Sequence, residues 1–146
     1  IAALEQALAT IEPGEGVGLL FIDLDGFKHI NDASGHAVGD AVLEVVAHRL
    51  RDGLREEALL GRLGGDEFVV IAPRLHSANA ALVLANRMSD RLHGDVAIGE
   101  INVGIAASIG VAWTSNGTAS ELLAHADGAM YTAKHARSAV PILAAT

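Results

Sequence analysis

Residues 62–71 read "RLGGDEFVVI" and lie between apolar runs. Leu59–Leu63 on one side and Phe68–Ala72 on the other carry strand composition, and the glycines between them signal a β-hairpin. A hairpin set between two helical patterns argues against an all-parallel, doubly wound sheet. It predicts an α/β sandwich in which a mainly antiparallel central sheet carries helices on its faces. The turn accounts for the glycines but not for Asp66 and Glu67. Adjacent carboxylates repel, so either they are solvated or a positive partner sits on them.

Working outward, "VGLLFIDLD" (17–25) is a short apolar run ending in acids and predicts a buried central strand. Residues 3–9 read as the tail of a helix, broken by "EPGEG" (12–16). "GFKHINDASGHAVGD" (26–40) is polar and punctuated by glycine, with room for one helical turn. Val42, Val45, Val46 and Leu50 then recur at helical spacing and predict a helix over 38–52. Pro73 is expected to stop the second hairpin strand. Ala81, Leu84, Ala85, Met88 and Leu92 mark another amphipathic helix. Residues 94–103 suggest a further short hairpin, and "GIAASIGVAW" (104–113) one buried strand. Thr118 and Glu121 have capping-box spacing ahead of a helix with Leu122, Ala126, Ala129, Met130 and Ala133 on one face. "AVPIL" (139–143) reads as an edge strand, because Pro141 has no place in a central one.

Composition narrows the function. A chain of 146 residues has the length of one domain, and 51% hydrophobic content supports a core, aliphatic rather than aromatic because Phe, Trp and Tyr make up only 3%. The formal charge of −8 argues against a nucleic-acid polymer as partner. No apolar run approaches the roughly 18 residues of a membrane span, so no membrane contact by this domain is expected. The absence of cysteine excludes disulfides and thiolate metal sites and fits a cytoplasmic setting. The seven histidines form no HxxxH pair with a nearby acid, which disfavours a structural zinc site.

The acids supply the chemistry. Asp23 and Asp25 end the first strand, and Asp66 and Glu67 tip the hairpin. If the hairpin lies beside that strand, Asp23 and Asp66 converge. Oxygen ligands without histidine or cysteine suit Mg²⁺ or Mn²⁺, and Mg²⁺ completes its shell with water and substrate phosphates. That is the metal logic of phosphoryl and nucleotidyl transfer. Taken singly, "GGDE" is an ordinary turn and "DLD" a solvated loop start. Their joint occurrence, with Lys28, Asn31 and Asp40 between them, favours a site.

These residues carry a family resemblance. "GGDEF" (64–68) is similar to the name-giving motif of the GGDEF domains, the diguanylate cyclases. "FIDLDGFKHINDASGHAVGDAVL" (21–43) resembles the family's substrate-loop signature, and "ASIGVA" (107–112) and "ADGAMYTAK" (126–134) resemble its later blocks in order. The resemblance covers nearly the whole chain, and implies one domain over 1–146 with a sheet related to adenylyl cyclase catalytic domains and polymerase palms. It implies condensation of two GTP to cyclic di-GMP with release of pyrophosphate, by a homodimer holding one GTP per protomer. Sensory or regulatory domains are expected on the full-length chain, which could be tethered to a membrane.

By resemblance, Asp23, Asp66 and the Leu24 backbone carbonyl hold the metal. Asp66 and Glu67 belong to the catalytic centre; Glu67 either assists deprotonation or orients the ligands. Gly64 and Gly65 permit a tight turn and close approach of the nucleotide. Gly26, Phe27 and Lys28 hold phosphates, with Phe27 equally suited to plug the core. Asn31 and Asp40 read guanine; taken alone, Asp40 is a first-turn acid favoured by the helix dipole. Lys134 reaches the distal phosphates, or is a solvated lysine.

The chain departs from the family pattern in three places. It begins at "IAALEQ", after the family's usual D-x-L-T-G-L-x-N-R opening, so a trimmed N-terminal edge is expected. The inhibitory R-x-x-D stretch reads "REEA" (55–58), which keeps Arg55 but has Ala58 for the aspartate; that site is expected to be non-functional. The closing A-K-x-x-G-R-N reads "AKHARSA", with Arg137 at the glycine and Ser138 at the arginine. These departures keep two alternatives open: a non-catalytic GTP-binding regulatory domain, and a dimerising module without nucleotide.

Overall fold

The computed structural model describes residues 1–145. Seven strands and five helices follow in the order α1 (Ala2–Ala9), β1 (Gly16–Leu24), α2 (Phe27–Ser34), α3 (His36–Asp52), β2 (Leu59–Arg62), β3 (Glu67–Leu75), α4 (Ala78–Arg91), β4 (Gly94–Ile98), β5 (Ile101–Ile105), β6 (Ala107–Thr114), α5 (Ala119–His135) and β7 (Ile142–Leu143). The central sheet has the order β2-β3-β1-β6-β7, and β4-β5 forms a separate ribbon. All pairs are antiparallel except β6–β7. The predicted sandwich is therefore present, with one parallel pair at its edge.

β1 is central and buried on both faces, and the strand period of two sorts its side chains. Leu20, Ile22 and Leu24 enter the larger core cluster with α3 and α4, while Val17 and Leu19 enter the smaller one with α1 and α5. Asp23 therefore points toward the α5 side. α5 crosses that side over Gly110, where a Cβ would collide with the backbone of Ala126 and Met130. Glycine is required there because helix backbone lies directly on the strand. The Thr118–Glu121 capping box starts α5 as expected. The helix ends in a Schellman motif, with Arg137 N–H donating to the Lys134 carbonyl (3.2 Å) and Ser138 N–H to the Ala133 carbonyl (2.9 Å).

Three local readings are corrected. Residues 26–40 hold more than one helical turn: α2 has 8 residues and α3 begins at His36. Gly26 at φ 67° and Gly35 at φ 90° punctuate α2, and Phe27 and Ile30 bury its inner face. Pro73 does not stop β3, which runs to Leu75. Its missing N–H falls where the β1–β3 register shifts between Gly16 and Gly18, and β2 has already ended opposite Ile71. Residues 104–113 are not one strand: β5 ends at Ile105 and β6 starts at Ala107 in another sheet. The Ala106 carbonyl between them accepts from Asp25 N–H at 2.8 Å.

Candidate active site

The site lies where β1 ends against the start of β3. Asp23 stands directly opposite Glu67 in the antiparallel register, so the two side chains share a face. The Asp66 carbonyl accepts from Leu24 N–H at 3.1 Å, which closes the hairpin tip onto the strand. Arg62 holds the turn from within, its Nε donating to the Gly64 carbonyl at 3.0 Å. The expected approach of hairpin and first strand is thus present. Gly64 and Gly65 depart from expectation, since neither has a positive φ and a Cβ on either meets open space. The turn itself does not require them; what they leave is room for something outside the chain.

The Lys134 ammonium sits 2.8 Å from Asp23 Oδ2 and 3.7 Å from Asp25 Oδ1. Ser108, buried on β6, donates to Asp25 Oδ1 at 2.7 Å. Asp23 is 7% exposed, and burial raises its pKa. The Lys134 hydrogen bond and charge oppose that, while the charges of Asp66 and Glu67 add to it. For Lys134, burial acts to lower the pKa, but the hydrogen bond to Asp23 and the charges of Asp23, Asp25 and Asp66 carry it above the ordinary lysine value. Several carboxylates thus share one ammonium and leave an excess of negative charge.

Asp23 Oδ1 is buried without a hydrogen-bond partner, an orphaned acceptor of the kind a cation relieves. Among the described residues no group of three or more His, Cys, Asp or Glu side chains is placed to hold a metal. Two carboxylates and a backbone carbonyl are a donor set that fits Mg²⁺ or Mn²⁺ completed by substrate oxygens, and does not fit a closed protein cage. Leu24 is 1% exposed, so only its backbone could take part.

Beyond the acids, Gly26 caps α2 in the left-handed region, and the first intrahelical bond is Ile30 N–H to the Gly26 carbonyl at 3.1 Å. The N–H groups of Phe27, Lys28 and His29 therefore have no helical acceptor. The Phe27 ring is buried in the core, leaving only its N–H for a ligand. Lys28 is exposed and forms no ion pair among the described residues. Asp40 lines a cavity of about 370 Å³ with Leu43, Glu44, Ala47, Arg62 and Phe68. Asn31 lies on α2 with its Oδ1 buried and unpartnered.

Arg55 is far from this centre. Its guanidinium lies 3.7 Å from Glu57, and a groove of about 430 Å³ places it with Arg87, Leu75, Ala80, Val83 and Leu84. Sequence reasoning assigned no role to Asp25, Ser108, Arg62 or Arg87. Asp25 was visible beside Asp23; the other three are brought in only by strand order and helix packing.

The central strand thus ends in a buried acid beside an acidic hairpin, and the helix that follows it begins with free backbone amides. The family profile described as "Diguanylate cyclase, GGDEF domain" matches residues 2–139, and the chain belongs to the GGDEF family. It is 50% identical over 135 residues to an uncharacterized Mycobacterium tuberculosis protein, covering 91% of this chain and 22% of that one. It is 44% identical over 134 residues to the bifunctional diguanylate cyclase/cyclic di-GMP phosphodiesterase MucR of Pseudomonas aeruginosa, covering 90% of this chain and 19% of MucR. The crystal structure of the GGDEF domain of TpbB from Pseudomonas aeruginosa superposes with a TM-score of 0.93 at 39% identity, covering 99% of this chain and 92% of that one. The chain spans about a fifth of the length of the curated relatives. Among the described residues no helix is long and apolar enough to cross a membrane.

Proposed function

We propose that this chain is a diguanylate cyclase domain that condenses two GTP into cyclic di-GMP and releases pyrophosphate, each protomer of a homodimer presenting one GTP. The carrying observation is the Asp23–Glu67 pairing beside Asp66, with a buried Asp23 oxygen that no protein group satisfies. Asp23, Asp66 and the Leu24 carbonyl would hold Mg²⁺ or Mn²⁺. The bound ion would supply charge neutralisation at the triphosphate and polarise the reacting phosphate.

The chain's own groups do the rest. The N–H groups of Phe27 and Lys28, after the Gly26 cap, donate to phosphate oxygens at the positive end of α2. The Lys28 ammonium adds a mobile charge. Gly64 and Gly65 leave the hairpin tip open to the nucleotide. Asp40 accepts from guanine N1–H and the 2-amino group, a donor pair adenine lacks, and Asn31 contributes its amide. Lys134, held on Asp23 and Asp25, is placed to exchange a carboxylate for a phosphate oxygen. Glu67, facing Asp23, is suited to draw the proton from the attacking 3′-hydroxyl. The reaction needs two nucleotides brought together, which is the reason for a second protomer. The GGDEF unit is taken as one domain of a longer signalling chain, working in the cytoplasm.

A second reading rests on the α5 terminus, where Arg137 and Ser138 replace a glycine and an arginine of the family pattern. It keeps GTP binding and loses turnover. Incubation of the protein with GTP and Mg²⁺, followed by chromatography for cyclic di-GMP and a pyrophosphate assay, separates the two. Product with pyrophosphate supports the cyclase. GTP binding by calorimetry without product supports the regulatory domain, and absence of both overturns each.

A further inference from the structure

Gly39 is the fourth residue of α3, buried, and not in a left-handed conformation. Glycine at an ordinary helical position costs stability relative to alanine, so the backbone gives no reason for it. Space does. A Cβ on Gly39 would overlap Asn31 Oδ1 of α2 and come within 3.3 Å of Phe27 Cζ. The Asn31 amide is therefore seated against the bare Cα of α3, and its Oδ1 is buried there without a conventional partner. Its Nδ2 is neither buried nor engaged with any group among the described residues. The amide is thus oriented with its acceptor inward and its donors free. Asp40, the next residue, lines the adjoining cavity.

We infer that Gly39 is a positioning residue for base recognition: by lacking a side chain it seats the Asn31 amide at a fixed distance and orientation beside Asp40. The inference rests on the proposed reading of Asn31 and Asp40 as the guanine-binding pair and adds a determinant to it. Asn31 and Asp40 come from different helices, and Gly39 is where those helices touch between them. A methyl group there overlaps first with the end of the Asn31 side chain, which yields more readily than helix backbone, so Asn31 moves.

The test is calorimetric titration of GTP, ITP and ATP into wild type, G39A, N31A and N31A/G39A, each held well below its melting midpoint. Wild type binds GTP; G39A binds GTP and ITP each about tenfold more weakly, the worth of one hydrogen bond, because the free Asn31 donors meet base acceptors that GTP and ITP share. In the N31A background the same G39A change has no further effect on GTP binding, because the displaced group is already gone. The melting midpoint drops less from N31A to N31A/G39A than from wild type to G39A, since the overlap with Asn31 is gone and only the 3.3 Å approach to Phe27 Cζ remains. Wild type that fails to bind GTP overturns the underlying reading. Wild type that binds GTP, with G39A binding equally well or with additive losses in the double variant, overturns this inference alone. If G39A does not fold, N31A/G39A must fold and bind GTP like N31A; weaker binding than N31A also overturns it.

Discussion

Lys134 Nζ lies 2.8 Å from Asp23 Oδ2, a contact between residues 111 positions apart. The ammonium occupies one oxygen of the carboxylate expected to take the metal, while the other oxygen is buried and free. On the proposed reading, lysine and metal would compete for Asp23 in the nucleotide-free protein. K134M should raise affinity for Mn²⁺ alone, read from the free-ion signal in electron paramagnetic resonance titration. It should also lower GTP turnover by about 10–100-fold, the range for a lost charge-assisted hydrogen bond. Unchanged Mn²⁺ affinity would show that the pair does not oppose the metal.

Metal dependence is expected to reside in Asp23 and Asp66. D23N and D66N each remove one ligand charge and should abolish cyclic di-GMP formation while leaving the circular dichroism spectrum intact. For D23N the loss of a buried charge offsets the weakened Lys134 contact, so its melting midpoint should stay within a few degrees of wild type. Near-normal turnover with Mg²⁺ in either variant would refute the assignment.

Asp40 is expected to set base choice. D40S keeps a hydroxyl but loses the paired acceptor, so the preference for GTP over ATP should fall by at least about tenfold. Discrimination built on hydrogen bonding a substrate group is lost when the site's own acceptor is removed. Competition binding of the two nucleotides measures it, and unchanged selectivity would remove Asp40 from the base pocket.

Product inhibition through Arg55 is expected to be weak or absent. Ala58 offers no acceptor for a guanine edge, and its N–H is already used, donating to the Arg55 carbonyl at 3.0 Å. Arg55 is drawn to Glu57 instead. Titration of cyclic di-GMP by calorimetry should show no tight binding that R55A removes. Such binding would mean that Glu56 or Glu57 substitutes for the missing acid, or that the Arg55–Arg87 groove suffices without one.

Arg137 has φ 49° at the position where the family pattern carries glycine. A side chain in the left-handed region is strained, and glycine relieves it. R137G should stabilise the fold by about 0.5–1 kcal/mol after allowing for the greater freedom of glycine in the unfolded chain. Thermal melting measures it. A lower midpoint would mean that the Arg137 side chain holds the helix end by contacts outweighing the strain.

Much of this protein could be read before folding because local periodicity and turn chemistry carry the information. The apolar run 17–25 ending in Asp23, the hairpin glycines, the Thr118–Glu121 capping box and the strand–hairpin–helix order are properties of short windows. The acids of the site were visible for the same reason, since uncompensated charges beside buried strands stand out. Tertiary structure alone decided the rest. Only strand order sets Asp23 against Glu67 and Ser108, because register is a relation between distant segments. Pro73 continues a strand because a bulge opposite Gly16–Gly18 tolerates its missing N–H. Lys134 reaches Asp23 because α5 settles directly on Gly110, and Gly39 matters because Asn31 comes to lie on it. Close packing between remote residues has no signature in either sequence window; it exists only once the helices have closed onto the sheet.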